Sequence, residues 1–113
     1  MHELSLCGSI YQIVDRAAEG RSVTTVHLQI GQLRQIVPDT LRYCWTLVTE
    51  QTALAGSELE IDSVPLTINC RDCGANTTVE GYPILLCQAC ESASVAITTG
   101  EEFLLTSLEL AKA

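Results

Sequence analysis

The chain has 113 residues, which is enough for one domain with a modest hydrophobic core. Its residues are 47% hydrophobic and 18% charged, a balance typical of globular proteins that excludes the disordered and fibrous classes. The formal net charge of −8 argues against a surface that binds nucleic-acid phosphates. No apolar run is long enough to span a membrane, and the first residues lack the basic and then apolar order of a signal peptide. We therefore expect a cytoplasmic protein that binds neither nucleic acid nor membrane.

The spacing of apolar residues predicts two helices and three strands outside the cysteine-rich part of the chain. Apolar residues at steps of three and four, from Leu6 to Ala17, predict an amphipathic first helix. Pro38 suits the first turn of the second helix, and Asp39 places a carboxylate at the positive end of its dipole. The predicted elements are a helix over 3–18, a strand over 22–30, a helix that begins at Pro38, weakens from Thr49 to Ala55 and stops at Gly56, and strands over 58–64 and 102–110.

Two C-x-x-C pairs, Cys70 with Cys73 and Cys87 with Cys90, predict a structural metal site. Four thiolates can occupy the corners of a tetrahedron, which suits Zn²⁺ and leaves no open position for water or substrate. Gly74, directly after the first pair, permits the positive φ that such a turn often needs. The alternatives are a disulfide framework and a dithiol redox pair, which the absence of a secretory signal disfavours.

The predicted elements indicate an α+β fold: a three-stranded mixed sheet with two helices on one face, plus an inserted zinc-ribbon-like module. An insertion leaves and returns at one place, so we expect the strands 58–64 and 102–110 to be antiparallel neighbours. The first and second strands, joined through a helix, should be parallel by a right-handed crossover. Residues 1–65 and 100–113 then form an α/β domain. The zinc-binding module, 66–99, is too short to fold unaided, so we expect metal binding to fold it.

No sequence pattern predicts an enzyme. A four-thiolate site has no vacancy for a substrate, and the chain contains no phosphate loop, nucleophile elbow or dinucleotide fingerprint. Cys7 and Cys44 lie on apolar helix faces and are expected to be buried structural thiols. His27 is expected to be an exposed strand residue.

The amino terminus offers a second set of metal ligands. The Met1 amine, the His2 amide nitrogen and the His2 imidazole Nδ1 can close two chelate rings on one ion, and the Glu3 amide can close another. Such nitrogens lie nearly in one plane, which suits Ni²⁺ or Cu²⁺. The alternative is a terminus without fixed structure. A helix that begins at Glu3 favours the chelate, because it can hold these groups in one conformation.

Seven segments of the sequence, in this order, carry a resemblance that covers essentially the whole chain. They are Met1-His2-Glu3-Leu4-Ser5, Ile30-Gly31-Gln32-Leu33, Val37-Pro38-Asp39, Leu59-Glu60-Ile61, Cys70-Arg71-Asp72-Cys73-Gly74, Cys87-Gln88-Ala89-Cys90 and Gly100-Glu101-Glu102-Phe103-Leu104. With these segments the chain resembles the HypA/HybF family of nickel metallochaperones for hydrogenase maturation.

This resemblance implies that His2 is the essential nickel ligand, with the Met1 amine and the backbone nitrogens of His2 and Glu3 around it. It implies that Glu3 shapes the site or a partner interface, and that Asp39 serves as or supports a fourth ligand. Nickel is then transferable cargo, whereas a structural zinc ion is bound by Cys70, Cys73, Cys87 and Cys90. The implied partners are the nickel GTPase HypB, the hydrogenase large-subunit precursor and, for some members, the urease accessory protein UreE.

One departure from the family pattern concerns the cysteine pairs. Some members carry a histidine beside each pair, but Gly74 and Glu91 stand there in this chain. We therefore expect neither a pH-switched zinc site nor the urease duty that accompanies it. The expected function is nickel delivery without catalysis. A zinc-ribbon adaptor that binds other proteins without nickel transfer is the main alternative, and a thiol redox sensor is a third.

Overall fold

A computed structural model describes the backbone of residues 2–111 and the side chains of residues 3–111. The elements, in chain order, are α1 (His2–Ala18), β1 (Val23–Gly31), a short 3-10 helix (Gln32–Arg34), α2 (Pro38–Thr49), β2 (Glu58–Val64), β3 (Leu66–Cys70), β4 (Asn76–Val79), β5 (Val95–Thr99) and β6 (Phe103–Leu110). This arrangement confirms the α+β class, the two helices and the three-stranded sheet with an added cysteine module. None of the described helices combines the length and the apolar character that crossing a membrane requires.

The chain divides into two compact units. The helical unit comprises the described parts of Met1–Gln29, Ile36–Asp62 and Leu104–Ala113, and the cysteine unit comprises Ile30–Gln35 and Ser63–Phe103. Both units contain segments that are separated in the sequence, so the chain passes between them more than once.

The sheet of the helical unit has the strand order β2-β1-β6. The expectation that the strands at 58–64 and 102–110 are neighbours is therefore wrong, because β1 lies between them. Along β1, Val26 and Leu28 are buried whereas His27 between them is half-exposed, so one face of this central strand packs into the core. The charged residues of β2 suit an edge strand, because exposed charges discourage pairing with another chain.

Hydrogen bonds between β1 and β6 show that these two strands are antiparallel. The Thr24 hydroxyl donates to the Glu109 carbonyl at 3.1 Å, and the Thr106 hydroxyl donates to the His27 carbonyl at 3.2 Å. Residue numbers therefore rise along β1 as they fall along β6, which is the mark of an antiparallel pair.

The two helices pack against each other and run in the same direction. The Cys7 thiol donates to the Leu41 carbonyl at 3.3 Å, and the Glu3 carboxylate accepts a hydrogen bond from the Val37 backbone N–H. Each pair has the same sequence separation of 34 residues, so the amino termini of α1 and α2 lie at the same end of the helical unit. Trp45 completes the core, with 1% of its surface exposed.

The cysteine unit has its own antiparallel sheet, with the order β4-β3-β5. The central strand β3 was not among the predicted strands, although Leu66 and Ile68 alternate with Thr67 and Asn69 as they do in a half-buried strand. Leu66 and Ile68 on β3 and Val79 on β4 form a small buried core, and Leu33 packs against it from the 3-10 helix. This contact explains why residues 30–35 belong to the cysteine unit.

Gly31 and Gly100 hold that segment in place by a close approach of two backbones. The Gly31 N–H donates to the Glu102 carbonyl at 2.7 Å, and the Leu33 N–H donates to the Gly100 carbonyl at 2.9 Å. A Cβ atom on Gly31 would lie 1.9 Å from the Gly100 oxygen, a distance that no side chain tolerates. Only glycine therefore fits at position 31.

Candidate metal centres

The first cysteine pair forms a tight turn over residues 70–75, here called the first knuckle. The Cys70 N–H donates to the Ala75 carbonyl at 2.9 Å, and the Gly74 N–H donates to the Cys70 carbonyl at 2.9 Å. Gly74 has a φ of +79°, which glycine adopts without strain. The Cys73 N–H points at the Cys70 sulfur, at 3.4 Å. This turn directs both cysteine side chains to the same point.

The second pair repeats this backbone over residues 87–92, the second knuckle. The Cys87 N–H donates to the Ser92 carbonyl at 2.9 Å, and the Glu91 N–H donates to the Cys87 carbonyl at 2.8 Å. The Ala89 N–H lies 3.3 Å from the Cys87 sulfur. Glu91 occupies the position of Gly74 with a φ of +62°, a conformation that L-residues adopt only with strain. The two knuckles are therefore matched turns with different side chains.

The four sulfurs converge as a tetrahedral metal site requires. All four lie within 4.8 Å of one another, and the Cys70–Cys90 and Cys73–Cys87 sulfur distances are both 3.6 Å. Zinc–sulfur bonds of about 2.3 Å place the sulfurs of a tetrahedron about 3.8 Å apart, so the cluster fits such an ion. Cys70 and Cys87 are buried, whereas Cys73 and Cys90 are exposed. One side of the site therefore faces solvent.

Backbone hydrogen bonds lower the pKa of Cys70 and Cys87, whereas neighbouring sulfurs raise the pKa of Cys90. The Cys73 N–H makes the largest contribution in lowering the pKa of Cys70, to about 7, and the Cys90 N–H does the same in lowering the pKa of Cys87. A hydrogen bond from Ser92 lowers the pKa of Cys90, but the nearby Cys70 and Cys73 sulfurs outweigh it and raise that pKa to about 12. A metal ion that binds all four sulfurs must therefore displace protons.

The amino-terminal candidates lie at the start of α1. Met1 and the His2 side chain are outside the described residues, so their expected nickel ligation stays a prediction. The backbone of His2 begins α1, one residue earlier than the sequence indicated. The Glu3 carboxylate accepts hydrogen bonds from the Glu3 backbone N–H and from the Val37 N–H, and both lower the pKa of this carboxyl. Glu3 therefore lies beside the turn that leads into α2.

Asp39 is the second residue of α2, two positions beyond Val37. Its carboxylate accepts a hydrogen bond from Arg42 Nη1 at 3.2 Å, and Arg42 Nε donates to the Leu59 carbonyl at 3.3 Å. The structure thus brings Glu3 to the chain segment that contains Asp39, and Arg42 joins Asp39 to β2.

Two of the remaining singled-out residues, Cys7 and His27, have hydrogen-bond partners in the helical unit. Cys7 is fully buried, as expected, whereas Cys44 is only half-buried. His27 was expected to be exposed, but it is half-buried and its Nε2 lies 2.5 Å from the Glu109 carboxylate. Of these residues, Cys7 alone is part of the buried core.

Comparison with known proteins identifies the family. Residues 1–110 match the profile described as "Hydrogenase/urease nickel incorporation, metallochaperone, hypA". The chain belongs to the HypA family. A hydrogenase maturation factor HypA from Geobacter metallireducens is 37% identical over 110 residues, covering 97% of this chain and 99% of that one. A HypA from Chloroflexus aurantiacus is 39% identical over 112 residues, covering 96% and 98%.

Solved HypA structures share the fold. The solution structure of the Ni metallochaperone HypA from Helicobacter pylori has a TM-score of 0.65 at 22% identity and covers 96% of both chains. A second HypA solution structure has a TM-score of 0.68 at 23% identity and covers 98% of this chain and 97% of the other. The suspected family is confirmed, and with it the assignment to hydrogenase maturation and nickel incorporation.

Two residues beside the cysteines of this HypA chain were not singled out in the sequence. The Ser92 hydroxyl donates to the Asp72 carboxylate at 2.5 Å, joining the second knuckle to the first. The C-x-x-C spacing places Asp72 inside the first pair, but no spacing rule indicates that Ser92 meets it. This contact depends on how the two knuckles face each other.

Proposed function

We propose that this chain is a nickel metallochaperone that binds Ni(II) at its amino terminus and delivers it for maturation of the [NiFe] hydrogenase large subunit. The observation that carries the proposal is the family match over residues 1–110, which includes the amino terminus and both C-x-x-C pairs. The ion moves by ligand exchange, so no bond of a substrate is made or broken. The chain is therefore a carrier and not an enzyme.

The proposed nickel ligands are the Met1 amine, the imidazole and amide nitrogen of His2, and the Glu3 amide. The start of α1 at His2 supports this set, because the first N–H groups of a helix have no carbonyl partner within the helix. Amide nitrogens that bind nickel are deprotonated and anionic, and the positive end of the helix dipole stabilises negative charge. Nickel at the Glu3 amide would replace the hydrogen bond from that N–H to the Glu3 carboxylate.

Asp39 is proposed to support the site as a fourth ligand or a neighbour of one, with Glu3 shaping the surroundings. The parallel arrangement of the helices supports this role, because it brings the amino termini of α1 and α2 to one end of the helical unit. Asp39 already pairs with Arg42, but the two side chains are 96% and 44% exposed. An exposed pair of this kind is weak, so Arg42 does not prevent Asp39 from meeting a metal ion.

The four-cysteine site is proposed to hold a structural Zn(II) ion. Thiolates are the donors that structural zinc sites use, and four of them leave no position open for exchange with water or substrate. Residues 66–99 then act as the zinc-binding module, and residues 1–65 and 100–113 act as the nickel-binding domain. The small core of the cysteine unit supports this role for zinc, because so few buried side chains cannot stabilise a fold alone.

The proposed exchange takes place in the cytoplasm, where the nickel GTPase HypB and the hydrogenase large-subunit precursor are the partners. A urease accessory protein is a further partner to test, although Gly74 and Glu91 replace the histidines that accompany this duty in some family members. A carrier must bind nickel weakly enough to release it. A chelate at a chain terminus meets that need, because a partner can replace its ligands one at a time.

The proposal is tested by nickel titration of tag-free protein with an authentic amino terminus, with zinc content measured separately. His2→Ala should lose tight nickel binding but keep its zinc and its fold, because it removes the imidazole alone. His27→Ala is the matched control, since the chain has two histidines and His27 pairs with Glu109 in the sheet. This control should bind nickel as the parent protein does.

Equal nickel binding by His2→Ala and the parent would overturn the carrier proposal and favour the alternative, a zinc-ribbon adaptor that binds proteins without carrying nickel. An extension before Met1 tests the amine in the same assay, because it removes the free amino group. If the extended protein binds nickel with unchanged affinity, the amine is not a ligand, and Asp39 or water takes its place in the ligand set. A thiol redox sensor, the third candidate, would instead lose zinc and form disulfides under mild oxidation.

A further inference from the structure

The two knuckles have the same backbone, but one side-chain hydrogen bond between them has no counterpart. Ser92, the sixth residue of the second knuckle, donates its hydroxyl proton to Asp72, the third residue of the first. The equivalent positions are Ala75 and Ala89, whose methyl groups cannot form this bond. The matched turns are therefore joined by a single Asp–Ser bond on one side.

Backbone groups hold this bond in place. The Ser92 hydroxyl oxygen accepts a hydrogen bond from the Ser94 N–H at 3.0 Å, which leaves its proton directed at Asp72. The Ser94 carbonyl in turn accepts from the Arg71 N–H at 2.9 Å, and Arg71 Nη1 donates to the Val95 carbonyl at 2.9 Å. Arg71, which precedes Asp72, is thus hydrogen-bonded to the segment that follows Ser92.

The bond lies on the solvent side of the metal site. Asp72 directly precedes Cys73, and Ser92 follows Cys90 by two residues; these two cysteines are the exposed members of the cluster. Asp72 is itself exposed. The exposed Asp72–Ser92 bond is therefore formed by residues that neighbour the two exposed cysteines in the sequence.

We propose that Asp72 and Ser92 are positioning residues that hold the two knuckles together and slow the release of the metal ion. The inference rests on the zinc occupancy proposed above. Release begins when a sulfur leaves the ion and its knuckle moves away. A bond between the knuckles keeps the departing Cys73 or Cys90 sulfur close to the ion, so that it binds again before a competitor does.

The chain itself supplies conservative test variants. Ser92→Ala and Asp72→Ala each introduce the residue that the other knuckle already has at the equivalent position, so the turn accepts both. The measurement is the first-order rate of zinc transfer from the zinc-loaded full chain to an excess of a chromophoric chelator. Each variant should release zinc about tenfold faster, which is the lower end of the loss of metal affinity that follows removal of hydrogen bonds outside the ligand shell. The double variant should be no faster than either single one, because one bond is lost in all three.

Ser92→Thr and Ser94→Ala are the controls. The first retains the hydroxyl and should release zinc at the parental rate. The second removes a hydroxyl from the same loop, but Ser94 joins the network only through its backbone N–H and carbonyl, which the substitution retains. It should also match the parent. Circular dichroism and a zinc content equal to that of the parent establish that each variant is folded.

Parental release rates in Ser92→Ala and Asp72→Ala would overturn the inference, as would a double variant whose effect is the product of the single effects. A rate increase in Ser94→Ala equal to that in Ser92→Ala would also overturn it, because the effect would then belong to the loop as a whole. Purified parent protein without tightly bound zinc would refute the proposed occupant, and the inference with it. Zinc-loaded variants with unchanged rates refute the role of the Asp–Ser bond alone.

Discussion

Glu91→Gly should stabilise the cysteine unit, because Glu91 has a φ of +62° in a turn where the matched residue is Gly74. The left-handed conformation costs an L-residue about 1–2 kcal/mol. Glycine removes this strain but gains about 0.4–1 kcal/mol of conformational entropy in the unfolded chain. The balance is a stabilisation of about 0.8 kcal/mol for Glu91→Gly. The Glu91 N–H keeps its bond to the Cys87 carbonyl, since the backbone is unchanged.

The reciprocal variant, Gly74→Ala, should destabilise the unit by about the same amount, since strain is then introduced and unfolded-state entropy is removed. A Cβ on Gly74 meets no atom within 4 Å, so steric overlap adds nothing to this effect. The assay is thermal unfolding of the zinc-loaded protein at one fixed free zinc concentration, because bound metal shifts the melting temperature. A lower melting temperature for Glu91→Gly, or a higher one for Gly74→Ala, would refute the reasoning from backbone strain.

Two further predictions concern a glycine contact and a buried thiol. Gly31→Ala should destabilise the protein by more than about 2 kcal/mol in denaturant unfolding, because the new methyl group would overlap the Gly100 carbonyl. Gly8→Ala is the control within α1: its Cβ would meet no atom within 4 Å, so it should stabilise by about 0.5–1 kcal/mol, and a destabilisation would contradict this account. Burial and the nearby Cys44 side chain raise the pKa of Cys7 from 9.0 to about 12, so the folded state holds this proton more tightly than the unfolded state. The stability that this proton contributes should be present below pH 9 and decline as pH rises towards 12, by about 1.4 kcal/mol at pH 10. Denaturant unfolding of Cys7→Ala should lack that decline, and an equal slope in both proteins would contradict it.

The two helices and the individual strands of the first sheet could be predicted because their signals are local. Pro38 in the first turn of α2 and the alternation of Val26 and Leu28 with His27 depend only on neighbouring residues. The order of the strands could not be predicted in this way. It depends on pairing between segments that are distant in the sequence, and β1 lies between the two strands that were expected to be neighbours.

The cysteine site was predictable in composition but not in its internal differences. C-x-x-C spacing identifies the four thiols, because each short turn must bring two sulfurs together. Spacing does not show that Cys73 and Cys90 face solvent, or that Ser92 meets Asp72. Both facts arise from the way in which the two knuckles are held by β3 and β5, and no short sequence window contains both sides of such a contact.

The division of the chain has a consequence for the order in which it folds. To pair with β1 in the helical unit, residues 104–110 must return across the long segment Ser63–Phe103. Closing a loop costs less entropy when the loop is effectively shorter, and a folded cysteine unit shortens this one. A metal ion bound to the four cysteines would therefore hasten the completion of the β2-β1-β6 sheet. The helical unit would then complete its sheet sooner in the presence of that metal ion than in its absence.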